Sequence, residues 1–493
     1  MITARVRAGR WADSAKLMAA ARAAEGTEGV ERAACFMGTP ANLDDARTLG
    51  LFDAAMDGAG PNDSVIVVEG PDPDAGLAAA ERLLDPQAGG AGGAADALSR
   101  RPRSLLAARG DLALISVPGE YAALEAHKAL GAGMDVMLFS DNVTVEDEIA
   151  LKRRAHRLGK LVMGPGCGTA MLDGVGLGFA NVVASGPVGV VAAAGTGAQE
   201  VMVLVERAGA GISNCYGTGG HDLHEEVGAI TALDAIARLR DDPETQVILC
   251  VSKPPSPTVA NRVLDFLAGT GKPAAACFVG GGVEGRDGVE VVATLEEAAL
   301  AAARLAGVVR PSIVDSGAKL RAEWSSGGAV RGLFSGGTLC SEAAAILADL
   351  LGDVFSNAPA GKAHKLSAGE APVGHAVLDL GEEEFTRGRP HPMIDPVARA
   401  ERLAEEAADP AVGVLLLDVV LGYSSHPDPA GALAPAIRAA LQARPRLCVV
   451  AHVLGTEADP QVRSRQEATL RDLGVRLLPT NAAAARLAAD VAG

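Results

Sequence analysis

PVGVVAAAGTGAQEVMVLVERAG, residues 187–209, combines an apolar run, a glycine turn and a segment with helical periodicity. The run is typical of a buried strand, and Gly195, Thr196 and Gly197 separate it from the helix. This order places unpaired backbone N–H groups at the start of the helix, where they and the helix dipole attract anions. The stretch therefore predicts a parallel α/β domain with an anion site at the head of its helix.

Four units of strand and turn occur twice in the same order. The first copy reads GVVAAAGTGAQE, ISNCYGTGGHDL, QVILCVSKPPSP and AAACFVGGG, and the second reads RGLFSGGTLCSE, HAVLDLGEEEF, GVLLLDVVLGYSSHPDP and LCVVAHVLGTEADP. In each copy the first turn holds a Gly-Thr pair before a helix, and the third turn contains prolines. We therefore expect an internal repeat, with two homologous domains at residues 186–309 and 310–493 and one common strand order.

The rest of the chain also alternates strands with helices. Residues 1–85 predict a small ferredoxin-like α/β domain, and the glycine- and alanine-rich residues 86–103 predict a linker. Residues 104–185 predict three parallel strands of a partial Rossmann domain, without the GxGxxG turn that would indicate NAD. The predicted fold class is α/β, with several Rossmann- or flavodoxin-like parallel-sheet domains behind a small N-terminal one.

Composition narrows the range of partners and compartments. The chain has 493 residues, of which 61 are acidic and 44 basic, and its net charge of −17 argues against nucleic acid as a partner. Seven cysteines form no CxxC pair, which suits reduced thiols. No signal peptide or run of about 18 apolar residues is found, so we expect a cytoplasmic protein that does not contact a membrane.

Three glycine turns predict a site for a phosphoryl group or a similar dianion. If the two repeats face each other, the heads of two helices converge on one point. Neither Gly-Thr turn of the two repeats is a Walker motif, because the lysine of that motif is missing. Tight packing of the turns without a bound ligand is the alternative. Valine at Gly195 or Gly337 should abolish phosphate-dependent activity, through bulk or a forbidden φ. The candidate anion-binding residues are Gly195, Thr196, Gly197, Gly219, Gly220, Ser335, Gly336, Gly337 and Thr338.

Two histidines are candidate catalytic residues. His221 follows a glycine turn and precedes His224, and it could act as an acid, a base or a phosphoryl acceptor. Polar surface at a helix start is the alternative for this pair, and a metal is not expected because no third ligand is evident. His391 lies between two prolines in GRPHPMIDP, a stiff polar segment without a counterpart in the other repeat.

Several segments resemble known families. MDVMLFSDNVTVEDEIALKRRAHRLGKLVMGPGCGTAML, GPVGVVAAAGTGAQE and NCYGTGGHDL resemble the α subunit of succinyl-CoA synthetase, whose first domain binds CoA. VGVLLLDVVLGY and HVLGTEADP resemble the carboxyl-terminal domain of its β subunit. GLFSGGTLCSEA, EFTRGRPHPMID and RAGRWADSAKLM more closely resemble the FdrA family, and that resemblance spans essentially the whole chain.

The resemblances imply different reactions. The synthetase carries a phosphorylated histidine in a Gly-His-Ala-Gly-Ala-Ile motif, where this chain reads GVEGRDGVEVVATLEEAA without a histidine. Its nucleotide-binding ATP-grasp domain and its glycine turn for the CoA phosphates are also missing, so no cofactor is assigned, although CoA stays possible. The FdrA resemblance implies an oxamate carbamoyltransferase of allantoin breakdown, with companion subunits.

Carbamoyl transfer is the leading hypothesis from the sequence. Phosphate or carbamoyl phosphate and a small carboxylate would be the substrates, and the reaction needs a phosphate site and an oxyanion site but no nucleotide. Acyl-CoA synthetase activity of the succinate–CoA ligase type is one alternative. A non-catalytic scaffold subunit is the other, and each hypothesis places the chain in an oligomer.

Overall fold

The structure is a computed structural model and describes residues 1–12, 14–85, 104–313, 327–367, 370, 372–386 and 389–493. The chain divides into two compact units, Met1–Pro102 and Arg103–Gly493. The predicted linker, residues 86–103, lies outside the described residues. The other predicted domain boundaries stay predictions.

The N-terminal unit is a three-stranded antiparallel sheet with helices. Its strands are β1 (Ile2–Arg7), β2 (Arg32–Met37) and β3 (Ser64–Glu69), and its helices are α1 (Ser14–Glu25), α2 (Pro40–Thr48) and α3 (Pro73–Leu84). The strand order β1-β3-β2 places β3 in the centre, where its side chains are almost fully buried. Leu17 of α1 and Leu77 of α3 pack on one face of the sheet in a cluster with Ile66 of β3. Sequence analysis did not anticipate α2, whose start is capped by the Thr39 side chain.

The second unit begins with the predicted partial Rossmann sheet. Its elements are β4 (Leu112–Ile115), α4 (Gly119–Gly131), β5 (Asp135–Leu138), α5 (Val145–Arg157) and β6 (Val162–Met163). The strands are parallel in the order β4-β5-β6. Helix α5 has acidic residues in its first turn and basic residues in its last, as the helix dipole favours.

Two seven-stranded sheets follow. The first contains β7 (Thr169–Leu172), β8 (Val175–Gly178), β9 (Ser185–Ala192), β10 (Ile212–Gly217), β11 (Val247–Ser252), β12 (Ala274–Phe278) and β13 (Val289–Val292). Its helices are α6 (Gly195–Arg207), α7 (Ile230–Asp241), α8 (Pro257–Ala268) and α9 (Leu295–Leu305). The hairpin β7-β8 adds to this sheet through an antiparallel contact of β7 with β10.

The second large sheet contains β14 (Ala329–Phe334), β15 (Val354–Ser356), β16 (His364–Lys365), β17 (His375–Asp379), β18 (Val412–Val420), β19 (Cys448–Leu454) and β20 (Arg476–Leu478). Its helices are α10 (Gly337–Leu351), α11 (Glu383–Thr386), α12 (Val397–Ala408), α13 (Pro429–Ala443), α14 (Arg463–Asp472) and α15 (Asn481–Ala492). Strand β18 is buried along its whole length, because helices cover both faces of this parallel sheet.

The two large sheets share a strand order. The first runs β13-β12-β11-β9-β10 and the second runs β20-β19-β18-β14-β17, with further strands beyond β10 and β17. In both, the strand before the Gly-Thr turn lies between its two parallel neighbours. This order agrees with an internal repeat; superposition of the two halves stays a prediction.

One apolar cluster joins the two sheets. It includes Val201 and Met202 of α6 together with Leu339 and Ala343 of α10, all fully buried. The predicted α/β class with several parallel sheets is confirmed. In the part of the chain that the structure describes, every helix is too short or too polar to cross a membrane.

Candidate functional site

Helices α6 and α10 begin side by side, each directly after a parallel strand. We call their first turns the α6 head (Gly195, Thr196 and Gly197) and the α10 head (Gly337, Thr338 and Leu339). The Thr338 backbone N–H donates to Thr196 Oγ1 at 3.3 Å. A Cβ atom on Gly197 would lie 2.9 Å from Thr338 Cγ2, so glycine is needed for this approach. The structure thus brings together the two Gly-Thr turns that the sequence singled out.

The α6 head is open to solvent. Its N-cap residue Ala194 makes no side-chain capping bond, and the first N–H groups of a helix have no partner inside it. Gly195 is exposed, and the nearest atom to a Cβ added there would be Thr169 Oγ1 at 3.7 Å. Neither Gly195 nor Gly337 has a positive φ. The expectation of a forbidden φ at these two glycines is therefore wrong, and only bulk can act there.

The turn before the α10 head already holds an internal carboxylate. Asp418, in the carboxyl-terminal half of β18, accepts from the backbone N–H of Ser335 at 2.9 Å and of Gly336 at 2.8 Å. The buried Arg399 side chain donates to Asp418 Oδ1 at 2.7 Å and balances its charge. Ser335 and Gly336 were predicted to bind an external anion; the structure gives their N–H groups to Asp418 instead, because β18 lies directly beside β14.

A second carboxylate, Asp379 at the end of β17, lies against the α10 head. A Cβ atom on Gly337 would collide with Asp379 Oδ2, so glycine leaves room for the carboxylate. The Gly381 N–H donates to Asp379 Oδ1 at 2.9 Å. Burial raises the pKa of Asp379 to about 7, with Glu382 adding to the rise, while Lys253 opposes it. Asp379 is therefore a proton donor and acceptor suited to neutral pH.

His391 shares this corner of the site. A Cβ atom on Gly381 would lie 2.6 Å from His391 Nε2 and 3.1 Å from Asp379 Oδ1, so the two side chains flank one point. Burial lowers the pKa of His391 to about 4. The Met393 N–H donates to His391 Nδ1 at 3.2 Å, which leaves the proton of the neutral ring on Nε2. His391 can thus donate a hydrogen bond next to Asp379.

Behind the two heads, buried polar side chains bind Glu200 of α6 and Glu342 of α10. His452 Nε2 lies 2.9 Å from Glu200 Oε2, and Asn481 Nδ2 donates to Glu342 Oε2 at 2.7 Å. Glu200 and Glu342 each follow their Gly-Thr pair by four residues. Burial raises the pKa of Glu342 to about 7. The Asn481 backbone N–H also donates to Glu200 Oε1 at 3.4 Å, so Asn481 links the two helices.

The raised pKa values of Asp379 and Glu342 predict a pH dependence of stability. Each group keeps its proton in the folded state up to about pH 7 but loses it near pH 4 when unfolded. The free energy of unfolding should therefore fall as pH rises from about 4 to 7, by up to about 1.4 kcal/mol per pH unit for each group. Asp379→Asn and Glu342→Gln should each flatten this fall in denaturant titrations at pH 5, 6, 7 and 8. Parallel curves for wild type and both variants would contradict it.

The turn with His221 lies in another part of the same sheet edge. Gly219 has φ +84°, and a Cβ there would collide with Pro165, so this glycine serves the packing of the turn. Gly220 is exposed with open space around it. His221 Nδ1 lies 3.4 Å from Glu148 Oε2, and the ring of His224 is 5.2 Å away. Among the described residues, no hydrogen bond, ion pair or ring contact joins His221 to His391 or to either helix head.

Two cavities of the second unit are lined by residues outside the two heads. One of about 450 Å³ lies beside β17 and α12, and one of about 220 Å³ beside the segment before α12. Arg331 lines the first and Arg389 the second, and carboxylates pair with both. A helix head open to solvent offers donors without a deep cavity.

Sequence reasoning missed Asp418, Asp379, Arg399 and Lys253. Asp418 and Asp379 interrupt the apolar runs GVLLLDVV and HAVLDL, and an acid inside such a run signals a buried carboxylate with a dedicated partner. Lys253 directly follows β11, at the sheet edge where ligands bind. Those signals identify the residues but not their partners.

The chain aligns with another protein along nearly its whole length. It is 40% identical over 485 residues to the uncharacterized protein YahF of Escherichia coli (strain K12), and the match covers 94% of this chain and 93% of that protein. The chain belongs to the FdrA family. The CoA-ligase family model matches residues 333–491, a range that includes the α10 head, Asp379, His391 and Asp418.

Other relatives of this FdrA chain match a smaller share of it. The succinate–CoA ligase [ADP-forming] α subunit of Methanothermobacter thermautotrophicus is 28% identical over 143 residues, which are 28% of this chain and 47% of that protein. The chain therefore matches about half the length of that relative. Among solved structures, the dinucleotide-forming acetyl-coenzyme A synthetase 1 of Ca. Korarchaeum cryptofilum is 16% identical, covering 79% of this chain and 84% of that one, with a TM-score of 0.35.

The N-terminal unit matches a model named AllF, heavy metal-associated domain, over residues 1–99. Its residues do not fit a metal. They include one cysteine, Cys35, and no histidine. Burial raises the pKa of Cys35 to about 12, which disfavours the thiolate that binds metals. The described residues contain no group of three side chains able to hold an ion.

Proposed function

We propose that this FdrA-family chain is the acyl-transfer subunit of an acyl-CoA ligase-like enzyme, with an acyl phosphate bound at the open α6 head. The contact between Thr196 and Thr338 carries this proposal. It places the positive ends of two helix dipoles side by side while only the α10 turn is filled by an internal carboxylate. The open donors of α6 are therefore the complementary half of the site.

The residues around the heads suit phosphoryl binding and proton transfer. The N–H groups of the α6 head and the exposed Lys253 ammonium would bind the phosphoryl oxygens. Asp379 would give a proton to the departing phosphate, since its pKa near 7 keeps a large fraction protonated at neutral pH. His391 Nε2–H would donate to the carbonyl oxygen as negative charge develops there.

The substrate class follows from the relatives with named activities. These are succinate–CoA ligase α subunits and the malate–CoA ligase α subunit of Methylorubrum extorquens. They favour a small dicarboxylate as acyl group and CoA as acceptor over carbamoyl transfer to oxamate, which these names do not mention. The first turn of α4 carries Glu120 rather than a glycine-rich phosphate loop. We therefore propose that a companion subunit supplies the nucleotide and part of the CoA site.

An acyl-transfer assay tests the proposal. Succinyl phosphate and CoA are mixed with the full chain, alone and with the products of neighbouring genes, and thioester and free phosphate are measured in equal amounts. Carbamoyl phosphate with oxamate is the parallel arm. Thioester formation supports the proposal. Turnover only in the carbamoyl arm would reverse the choice of substrate, and turnover in neither arm would leave the chain a scaffold subunit.

Thr196→Val should weaken phosphate binding about tenfold. The variant removes a hydroxyl from the α6 head and the acceptor of the Thr338 N–H, and one such hydrogen bond corresponds to about 1.4 kcal/mol, or one decade. Thr196→Ser keeps the hydroxyl and should bind phosphate like wild type. Calorimetric titration of inorganic phosphate measures all three proteins. Equal phosphate affinities of Thr196→Val and Thr196→Ser would show that the Thr196 hydroxyl does not contribute to phosphate binding.

A further inference from the structure

A fully buried lysine organises the turn that carries His221. Lys152 of α5 donates through Nζ to Glu148 Oε1 at 2.7 Å, to Asp222 Oδ1 at 2.8 Å and to the Thr218 carbonyl at 2.9 Å. Its side chain is 0% exposed, and these three bonds use all its donors. Asp222 also accepts from two backbone N–H groups at the start of α7. Lys152 therefore fixes Glu148 through one of its two carboxylate oxygens, Oε1.

The other oxygen of Glu148 points at His221. Glu148 Oε2 is buried and has no hydrogen-bond partner among the described residues, and His221 Nδ1 lies 3.4 Å from it. A buried carboxylate oxygen without a hydrogen-bond donor lowers the stability of the fold. A chance contact with a surface histidine gives no reason for the chain to keep such an oxygen. The His221 ring is 55% exposed. Its Nε2 has no hydrogen-bond partner in the described part of the chain.

His221 and the open α6 head follow neighbouring parallel strands. The Thr218 N–H, just beyond β10, donates to the carbonyl of Ala192, the last residue of β9, at 2.8 Å. Three residues beyond Ala192 the α6 head begins, and three beyond Thr218 stands His221. Both therefore lie at the carboxyl edge of one sheet, where ligands of α/β proteins bind.

We propose that His221 and Glu148 form a dyad in which His221 is the general base for the nucleophile that accepts the acyl group. Glu148 is a positioning residue: it accepts from Nδ1–H and so presents the lone pair of Nε2. The acceptor is a compound with an S–H or N–H bond. Its proton passes to Nε2 as sulfur or nitrogen bonds to the carbonyl carbon, and the C–O bond to phosphate breaks with its electron pair leaving on phosphate. This inference rests on the proposed function.

Two side-chain variants test the dyad in the full chain. His221→Gln should lower the rate of transfer from succinyl phosphate to CoA or hydroxylamine about 100-fold, while calorimetric binding of inorganic phosphate stays unchanged. His224→Gln is the matched control, since its exposed ring lies 5.2 Å from His221, and it should transfer like wild type. Full activity in His221→Gln would overturn the proposal. If the wild-type protein does not bind inorganic phosphate, the proposed function is refuted instead.

A second readout does not need turnover. Imidazole ¹⁵N shifts of ¹⁵N-histidine-labelled protein report the tautomer of neutral His221, which should be the Nδ1–H form in wild type and lose that preference in Glu148→Gln. Should Glu148→Gln fail to fold because Lys152 loses a partner, the wild-type tautomer still decides. The Nε2–H form in wild type would overturn the dyad, because the proton would then occupy the nitrogen that has to act as base.

Discussion

Gly195→Val is expected to lower phosphate affinity about 100-fold and to leave the protein folded. Gly195 is exposed, a Cβ added there would have no atom closer than 3.7 Å, and its φ is not positive, so a side chain can begin there without a Cβ clash or backbone strain. Its branched side chain would stand over the N–H groups of the α6 head. Two lost hydrogen bonds to a charged ligand, each about 1.5 kcal/mol, correspond to two decades in affinity.

The comparison needs a matched glycine and a folding control. Gly110 is also exposed, with Leu112 O at 3.8 Å as the nearest atom to a Cβ, and Gly110→Val should bind phosphate normally. Calorimetry measures the affinity, and circular dichroism with thermal unfolding checks the fold. Gly337→Val is a poorer probe, because its side chain would collide with Asp379 and disturb packing. Unchanged phosphate affinity in Gly195→Val would show that the anion does not bind at the α6 head, and it would favour the scaffold hypothesis.

Asp418→Ala should reduce the free energy of unfolding by about 3–5 kcal/mol. The substitution leaves the buried guanidinium of Arg399 without its counter-charge. It also removes the acceptor of the Ser335 and Gly336 N–H groups. Chemical denaturation with a constant m-value measures the loss.

An exposed ion pair supplies the control for Asp418. Arg389 and Glu401 lie 3.3 Å apart, and both side chains are more than half exposed, so Glu401→Ala should change stability by less than about 1 kcal/mol. The double variant Asp418→Ala with Arg399→Met should lose less than the sum of its single losses, because it removes the unpaired charge. A loss below about 1 kcal/mol in Asp418→Ala alone would show that the carboxylate does not hold the turn.

Local patterns explain why the elements of this fold were predictable. The alternation of apolar runs with helical segments depends on near neighbours in sequence, and so does the Gly-Thr turn before α6 and α10. The helix α2 was missed because it has only 9 residues, PANLDDART, and buries only Leu43 and Ala46, too few positions to reveal a period. The hairpin β7-β8 could be read as two strands, but its attachment to β10 pairs Cys215 with Met171, which are 44 residues apart.

The site was only partly predictable for the same reason. Sequence analysis identified Thr196 and Thr338 as equivalent residues, and the structure places them in contact. It treated the Ser335 turn as a free anion site, because nothing near it in sequence shows that Asp418, 83 residues later, fills it. Nor does local sequence show that Glu148, in the middle of α5, faces His221.

By itself, the sequence determined the α/β class, the membership in the FdrA family and the two Gly-Thr helix starts, because each is written in contiguous residues or in their repetition. Only the tertiary structure decided which helix head is open, which is occupied by Asp418, and that Asp379 carries a pKa near 7. Those properties arise when strands distant along the chain become neighbours and exclude water. Burial and the approach of charges then set the chemistry of side chains whose identity alone leaves it undetermined.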